Sequence, residues 1–245
     1  MKAPKLGLAG HKEDSRGRTL KIRDFLVAGL AAPAACDLTT QTGRDTDDLG
    51  NVDIGLCAIA GPGHFTNWED DLNRRPKTVN RTRTIDEYQN FGYIPGDEST
   101  DNGCYALDVM KWWRSFGLFG RKIQAFAQVN YFNPDEVAKA IFLLGGVFLC
   151  MALPRKVKDG SIFDAELWEP AADDGGPAGG HFMWCEGSNL VNSWGKRIRL
   201  DDAMIARYCF DAYAVVSADA ITPNGRAFSG LDVAGLGEAL ALVTL

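Results

Sequence analysis

The sequence has no long hydrophobic run and no excess of basic charge. Its longest mostly apolar stretch, residues 141–153, is shorter than the ~18 to 20 residues that a transmembrane helix needs. The 26 Lys and Arg are outnumbered by 32 Asp and Glu, which gives a net charge of −6. A nucleic-acid binder would instead show a basic face. We therefore expect neither a membrane nor a nucleic acid as a partner.

Metal-binding patterns are also missing. The six cysteines form no Cys-x-x-Cys pair, and the only histidines are His11, His64 and His181. Cysteine pairs and histidine clusters are typical of zinc and redox sites. We expect no metal and no cofactor, and few residues are left that could act as a catalytic base.

Export is not expected either. Residues 25–36 weakly resemble a signal peptide, but the segment before them is mostly polar, unlike the short basic start of such peptides. Synthesis in a bacterial cytoplasm is the resulting expectation.

What is present is an ordinary globular composition, with 46% hydrophobic and 24% charged residues among 245. A domain of this size buries roughly 70% of its unfolded surface and needs no disulfide. Helical patterns dominate the first half and strand patterns the second, which indicates an α+β fold. We divide the chain into an N-terminal arm (residues 1–44), one domain (45–222) and an apolar C-terminal tail (223–245).

Several elements carry recognisable end signals. Thr84 is predicted to cap a helix over residues 84–91, with Glu87 as its capping-box partner. Asn133 and Pro134 predict the start of a helix that ends at Gly145. Further patterns predict a helix within 101–116, strands at 147–153 and 211–217, and a hairpin of 181–185 with 190–194.

Three residues stand out as a possible catalytic set. Cys57 opens a predicted helix, where the N-terminal partial charge lowers a thiol pKa. His181 begins one strand of the hairpin, and Asn192 belongs to the segment 192–195 that ends the other. His64 is a rival base, but two helical turns separate it from Cys57 by about 10 Å, so we interpret it as structural. Pro62 is expected to kink or end the helix.

The chain resembles the papain-like cysteine peptidases, in which an early Cys is followed by a late His and then an Asn in an Asn-Ser-Trp-Gly motif. Here the order is Cys57, His181 and Asn192, and the motif is intact at residues 192–195. The family carries a Gln six residues before its Cys, where this chain has Asn51. Short pieces also resemble uncharacterised phage-borne members, at residues 49–51, 63–64, 99–103 and 212–215.

The resemblance implies a papain-like fold, with a helical half that carries the Cys and an antiparallel β half that carries His and Asn. It also implies hydrolysis of amide bonds in a peptide or protein substrate. Cys57 would be the nucleophile, His181 the acid and base, and Asn192 the residue that orients His181. The side chain of Asn51 and the Cys57 N–H would hold the oxyanion.

Other interpretations stay open. Cys57 can be a small buried hydrophobe, His181 a hairpin histidine, Asn192 a turn residue and Asn51 an ordinary loop residue. The chain would then be a papain-fold structural component of a phage virion that contacts other virion proteins and catalyses little or nothing. The interrupted Gly61-Pro62-Gly63 segment and the apolar tail favour this alternative. A transglutaminase-like acyl transfer is a third possibility.

Overall fold

A computed structural model describes residues 4–14, 20–26, 31–33, 36–40, 42, 45–159, 164–220, 224, 226 and 229. The predicted apolar tail, residues 223–245, thus lies almost wholly outside the described residues. No helix within the described ranges is long and apolar enough to cross a membrane.

The described residues form six α-helices that alternate with strands only in the second half of the chain. In chain order the helices are α1 Cys57–Leu72, α2 Arg81–Gln89, α3 Ala106–Ser115, α4 Pro134–Leu144, α5 Arg155–Lys158 and α6 Asp202–Tyr208.

Seven strands form one sheet in the order β1-β7-β2-β4-β5-β6-β3. The strands are β1 Ala125–Gln128, β2 Val147–Pro154, β3 Leu167–Trp168, β4 Pro177–Gly187, β5 Leu190–Ser193, β6 Lys196–Leu200 and β7 Cys209–Val216. Neighbours are antiparallel except β3 and β6. The α+β class predicted from the sequence is confirmed.

Helix α1 is the central element, buried from Cys57 to Asp70. It packs on β4, where a Cβ on Gly61 would come within 3.0 Å of the Phe182 ring. Further along α1, Phe65 makes edge contacts with Phe148 and Trp184 of the sheet. The glycine therefore lets α1 approach β4 closely, and the aromatic rings fill the space beside it.

Pro62 was predicted to kink or end this helix. It does not end the helix, because α1 continues for ten residues after Pro62. Proline removes one backbone donor and crowds the preceding turn. Burial on all sides outweighs this local cost. Gly63 also contributes, since a Cβ at that position would lie only 2.9 Å from the Leu49 side chain and 3.0 Å from the Val79 side chain.

Helix α4 follows the sequence prediction closely. The Asn133 side chain accepts from the N–H groups of Asp135 and Glu136, at 3.2 and 3.4 Å. Gly145 ends the helix in the left-handed conformation with φ 86°. Cap and stop residues act through local hydrogen bonds, so the sequence alone predicts these bounds.

The prediction that Thr84 caps a helix is wrong. Helix α2 begins three residues earlier, and the side chain of Asn80 accepts from Arg83 N. The Thr84 hydroxyl instead donates to the Leu49 carbonyl at 2.6 Å. The Thr84 side chain therefore makes a tertiary hydrogen bond, whereas the sequence pattern predicted that it would cap the helix.

The predicted hairpin is present as β4 and β5, although β4 starts at Pro177, earlier than predicted. Strand β2 pairs with β4 on one side and β7 on the other. Its central residue Cys150 lies opposite both Phe182 and Asp211. The sheet thus holds the hairpin against the rest of the domain.

We expect Gly61→Leu to lower the free energy of unfolding by roughly 1–3 kcal/mol, because an overpacked side chain must displace the Phe182 ring. Urea denaturation followed by far-UV circular dichroism measures the change. Pro62→Ala is the neighbouring control, and we expect it to destabilise less, because the helical donor that it restores offsets the buried ring atoms that it removes. Equal destabilisation by both substitutions would contradict the close-packing explanation.

Candidate active site

Cys57 is the first residue of α1, and its side chain is fully buried. Burial raises the pKa of the thiol to about 11, whereas the backbone N–H groups of Phe182, Gly7 and Ala58 act to lower it. The expected lowering of the thiol pKa by the helix N-terminus is therefore not found in this conformation. Loss of hydration outweighs the partial charge of the helix.

His181 lies in β4, fully buried, one residue before Phe182. Its ring is stacked on the indole of Trp194 with ring centroids 3.9 Å apart and an interplanar angle of 15°. Its Nε2 is 2.5 Å from the hydroxyl oxygen of Ser193, and its Nδ1 has no hydrogen-bond partner among the described residues. Burial lowers the pKa of His181 to about 3, so the ring is neutral at pH 7.

Asn192 does not form the predicted hydrogen bond to His181. Its amide Nδ2 donates instead to the Asp45 carbonyl at 2.9 Å, and its Oδ1 has no partner in the described part of the chain. The register pairs Asn192 with Trp184, three residues after His181. Because side chains alternate along a strand, Asn192 lies on the face of Trp184, and His181 and Ser193 lie on the other. The register of β4 and β5 is therefore the reason that Asn192 does not face His181.

Asn51 is buried in the loop that precedes α1. Its backbone N–H donates to the Asp48 carbonyl at 2.9 Å, and its side-chain Oδ1 accepts no hydrogen bond from any described residue. The preceding Leu49 and Gly50 both have positive φ, at 51° and 85°. This tight turn holds Asn51 in the short segment that leads into α1.

His64 is engaged elsewhere. Its Nδ1 is 3.1 Å from Asp45 Oδ2, which also accepts from Asn67 at 2.9 Å. Burial acts to raise the pKa of Asp45, but the hydrogen bonds of His64 and Asn67 and the charges of His64 and Lys77 lower it to about 2. This pair ties the residues before α1 to the helix and supports the structural interpretation of His64.

The N-terminal arm crosses the site, and Leu8 forms isolated β-bridges with Cys104 and Gly180. Leu8 N donates to the Gly180 carbonyl at 3.0 Å, next to His181. On the other side, Cys104 N donates to the Gly7 carbonyl and Ala9 N donates to the Cys104 carbonyl, both at 2.9 Å. The arm thus lies between β4 and the segment before α3, and its Gly7 N–H acts on the Cys57 thiol. We call the space that the arm fills between these two walls the groove.

Glycines make this close approach possible. A Cβ on Gly7 would lie 1.8 Å from the Gly55 carbonyl oxygen, and one on Gly103 would lie 2.1 Å from the Gly7 oxygen. A Cβ on Gly180 would meet the Leu8 oxygen at 2.4 Å. No larger residue fits at these points, so the arm covers the thiol with backbone at contact distance.

Ion pairs hold the arm on both sides of this crossing. Lys5 Nζ is 2.7 Å from Asp101 Oδ2, and Lys12 Nζ is 2.6 Å from Asp108 Oδ2. The Asp101 carboxylate also accepts from Gly55 N, at 3.0 and 3.1 Å. The same carboxylate therefore joins the arm to the turn that leads into α1.

Sequence reasoning missed three features of this site. Ser193 stood within the motif used to identify Asn192, but nothing in the motif indicated which of the two faces His181. Asp45 and the arm segment at residues 5–9 carried no catalytic pattern, and only their tertiary contacts identify them.

No family model and no curated protein matches the sequence. Several solved structures resemble the fold of the chain. Xylellain, a cysteine protease from Xylella fastidiosa, superposes with a TM-score of 0.65 at 14% identity, covering 89% of this chain and 97% of that one. A digestive procathepsin L 3 from Tenebrio molitor larval midgut has a TM-score of 0.50 at 11% identity and covers 81% and 76%.

A cysteine protease from Carica candamarcensis, solved with E-64, also has a TM-score of 0.50, at 10% identity, and covers 76% of this chain and 99% of that one. Identities this low establish likeness of fold, and the three proteins share one architecture. The chain therefore has the α+β fold of the papain-like cysteine proteases, with Cys57 at the start of its central helix.

Proposed function

We propose that the protein is a cysteine peptidase that hydrolyses amide bonds through an acyl-enzyme on Cys57. One observation carries the proposal. The thiol lies at the N-terminus of α1 against β4, where the N–H of Phe182 acts on it, and the adjacent His181 is held with its Nδ1 unpaired among the described residues. Acyl transfer also requires that nitrogen to reach the thiol, and the described conformation contains no hydrogen bond between the two.

In the proposed reaction, opening of the site first brings the Cys57 thiol within reach of Nδ1 of His181. The thiol gives its proton to that nitrogen, and the sulfur bonds to the substrate carbonyl carbon. The Cys57 N–H and the Asn51 amide hold the resulting oxyanion. The imidazolium then protonates the leaving amine as the C–N bond breaks. Water, deprotonated by His181, attacks the thioester, which releases the acid and restores the thiol.

The arm must leave the groove before a substrate can enter. Its backbone bonds to Gly180 and Cys104 occupy the walls that an extended peptide would use, and it buries the thiol. The described conformation is therefore a resting state. Once water reaches Cys57, the desolvation that raises its pKa disappears, and the helix N-terminus then favours the thiolate.

A structural, non-catalytic component is the second candidate, and the full burial of Cys57 and His181 favours it. In that case the arm would be a permanent part of the domain, and the thiol would never meet a substrate. The phage origin and the virion partners remain predictions from the sequence resemblance.

We expect Gly103→Ala to expose Cys57, because the added methyl group would overlap the Gly7 carbonyl of the arm. Alkylation by iodoacetamide at pH 7, mapped to Cys57 by mass spectrometry, should become about tenfold faster or more, since a shift of about 1.4 kcal/mol in local opening changes a rate tenfold.

Gly120→Ala is the matched control for this substitution. Both glycines have similar positive φ, 79° at Gly120 and 74° at Gly103, but a Cβ on Gly120 meets no described atom within 4 Å. The two variants share the backbone strain and differ only in contact with the arm. Equal labelling of Cys57 in both would refute the arm as its cover.

The pH dependence of labelling follows from the raised pKa of the covered thiol. Because the thiolate fraction grows with pH below a pKa of about 11, Cys57 labelling in the unmodified protein should rise about tenfold per pH unit from 7 to 10. Circular dichroism at each pH checks that the fold persists. A plateau below pH 8 would show that the thiol is already activated in the resting state.

Gly7→Leu tests the peptidase itself, because it expels the arm without altering the groove walls. We expect this variant to hydrolyse fluorescently labelled casein, and Gly7→Leu with Cys57→Ala to lose that activity by about 10²-fold or more. If Cys57 becomes reactive toward iodoacetamide while casein stays intact, the non-catalytic candidate is favoured.

A further inference from the structure

We propose that Ser193, and not Asn192, is the positioning residue that orients the imidazole of His181. This inference rests on the proposed function, in which His181 is the base, and it names the residue that orients this histidine. The sequence pattern alone assigned that role to Asn192, and the two residues are adjacent in the chain, so the side-chain contacts decide between them.

The contact between Ser193 and His181 is short and fully enclosed. The distance from Ser193 Oγ to His181 Nε2 is 2.5 Å, and neither residue is more than 2% exposed. The stacked indole of Trp194 covers one face of the ring. Stacking on Trp194 therefore fixes the plane of the His181 ring, and the contact with Ser193 fixes its rotation within that plane.

Asn192 is committed to a different contact. Its Nδ2 donates to the Asp45 carbonyl, and the Asp45 side chain is in turn held by His64 and Asn67. Strand register places Asn192 on the sheet face of Trp184. To reach His181, Asn192 would have to break this network and cross to the other face of the hairpin.

A serine hydroxyl suits this position because it can accept a hydrogen bond throughout the reaction. When Nε2 carries the proton and donates to Ser193 Oγ, the lone pair of the neutral ring is on Nδ1, the nitrogen without a partner in the described chain. After Nδ1 takes the thiol proton, Nε2–H still donates to the same oxygen. Ser193 thus selects the tautomer that leaves Nδ1 basic and keeps its contact in the imidazolium.

The test compares Ser193→Thr with Ser193→Val in the full chain, since these side chains have the same shape and differ only in the hydroxyl. Proteins labelled with 15N-histidine are examined by NMR at pH 7, where the neutral ring of His181 reports its tautomer. The chain has only three histidines, and His181→Gln assigns the signals. Ser188→Ala is a serine control on the same hairpin.

We expect the unmodified protein, Ser193→Thr and Ser188→Ala to show His181 protonated at Nε2, and Ser193→Val to lose that preference. Matching melting temperatures for the Thr and Val variants exclude a folding effect. A His181 protonated at Nδ1 in the unmodified protein, or an unchanged tautomer in Ser193→Val, overturns the inference. So does a tautomer change in Asn192→Ala without one in Ser193→Val.

A second readout separates this inference from the peptidase proposal. In the Gly7→Leu background, Ser193→Val should slow Cys57 alkylation at pH 6 about tenfold or more relative to Ser193→Thr, within the range expected for an impaired base. If the tautomer changes but Cys57 is unreactive in every variant, the peptidase proposal fails and the role of Ser193 in orienting the ring stands. Equal alkylation rates in a reactive background refute that role in the reaction.

Discussion

The close approach of α1 to β4 is the constraint on which the site depends. Gly61 lets the helix lie against Phe182, and this contact places the residue at the helix start, Cys57, beside the strand that carries His181. Aromatic rings from both elements fill the remaining space. The Pro62 interruption is tolerated because the packing energy of a helix buried on every side is much larger than one lost backbone hydrogen bond.

The same burial sets the protonation of Cys57 and His181. With the arm in place, burial moves the thiol pKa up, to about 11, and the His181 pKa down, to about 3. Both shifts favour the neutral forms, so a thiolate–imidazolium pair is disfavoured until water enters. In the proposed peptidase, coverage by the arm and suppression of the nucleophile would therefore be one physical effect.

Local signals predicted the parts of the fold that depend on local hydrogen bonds. Asn133, Pro134 and Gly145 marked the ends of α4 because caps act over three or four residues. The cap predicted at Thr84 was wrong for the opposite reason, because the Thr84 hydroxyl donates to the carbonyl of Leu49, which lies 35 residues earlier. The sequence indicated an N-terminal arm but not where residues 5–9 lie, because the position of such a segment is set by the two walls that it contacts.

By itself, the sequence determined the α+β class, the order of Cys57, His181 and Asn192 and the hairpin that brings the last two onto neighbouring strands. Only the tertiary structure decided which side chain faces which. A shift of one residue in register moves a side chain to the opposite face of a strand, so the pairing of Asn192 with Trp184 turned Asn192 toward Asp45 and left Ser193 on the face of His181. Motif spacing records distance along the chain, whereas this choice depends on how two strands align.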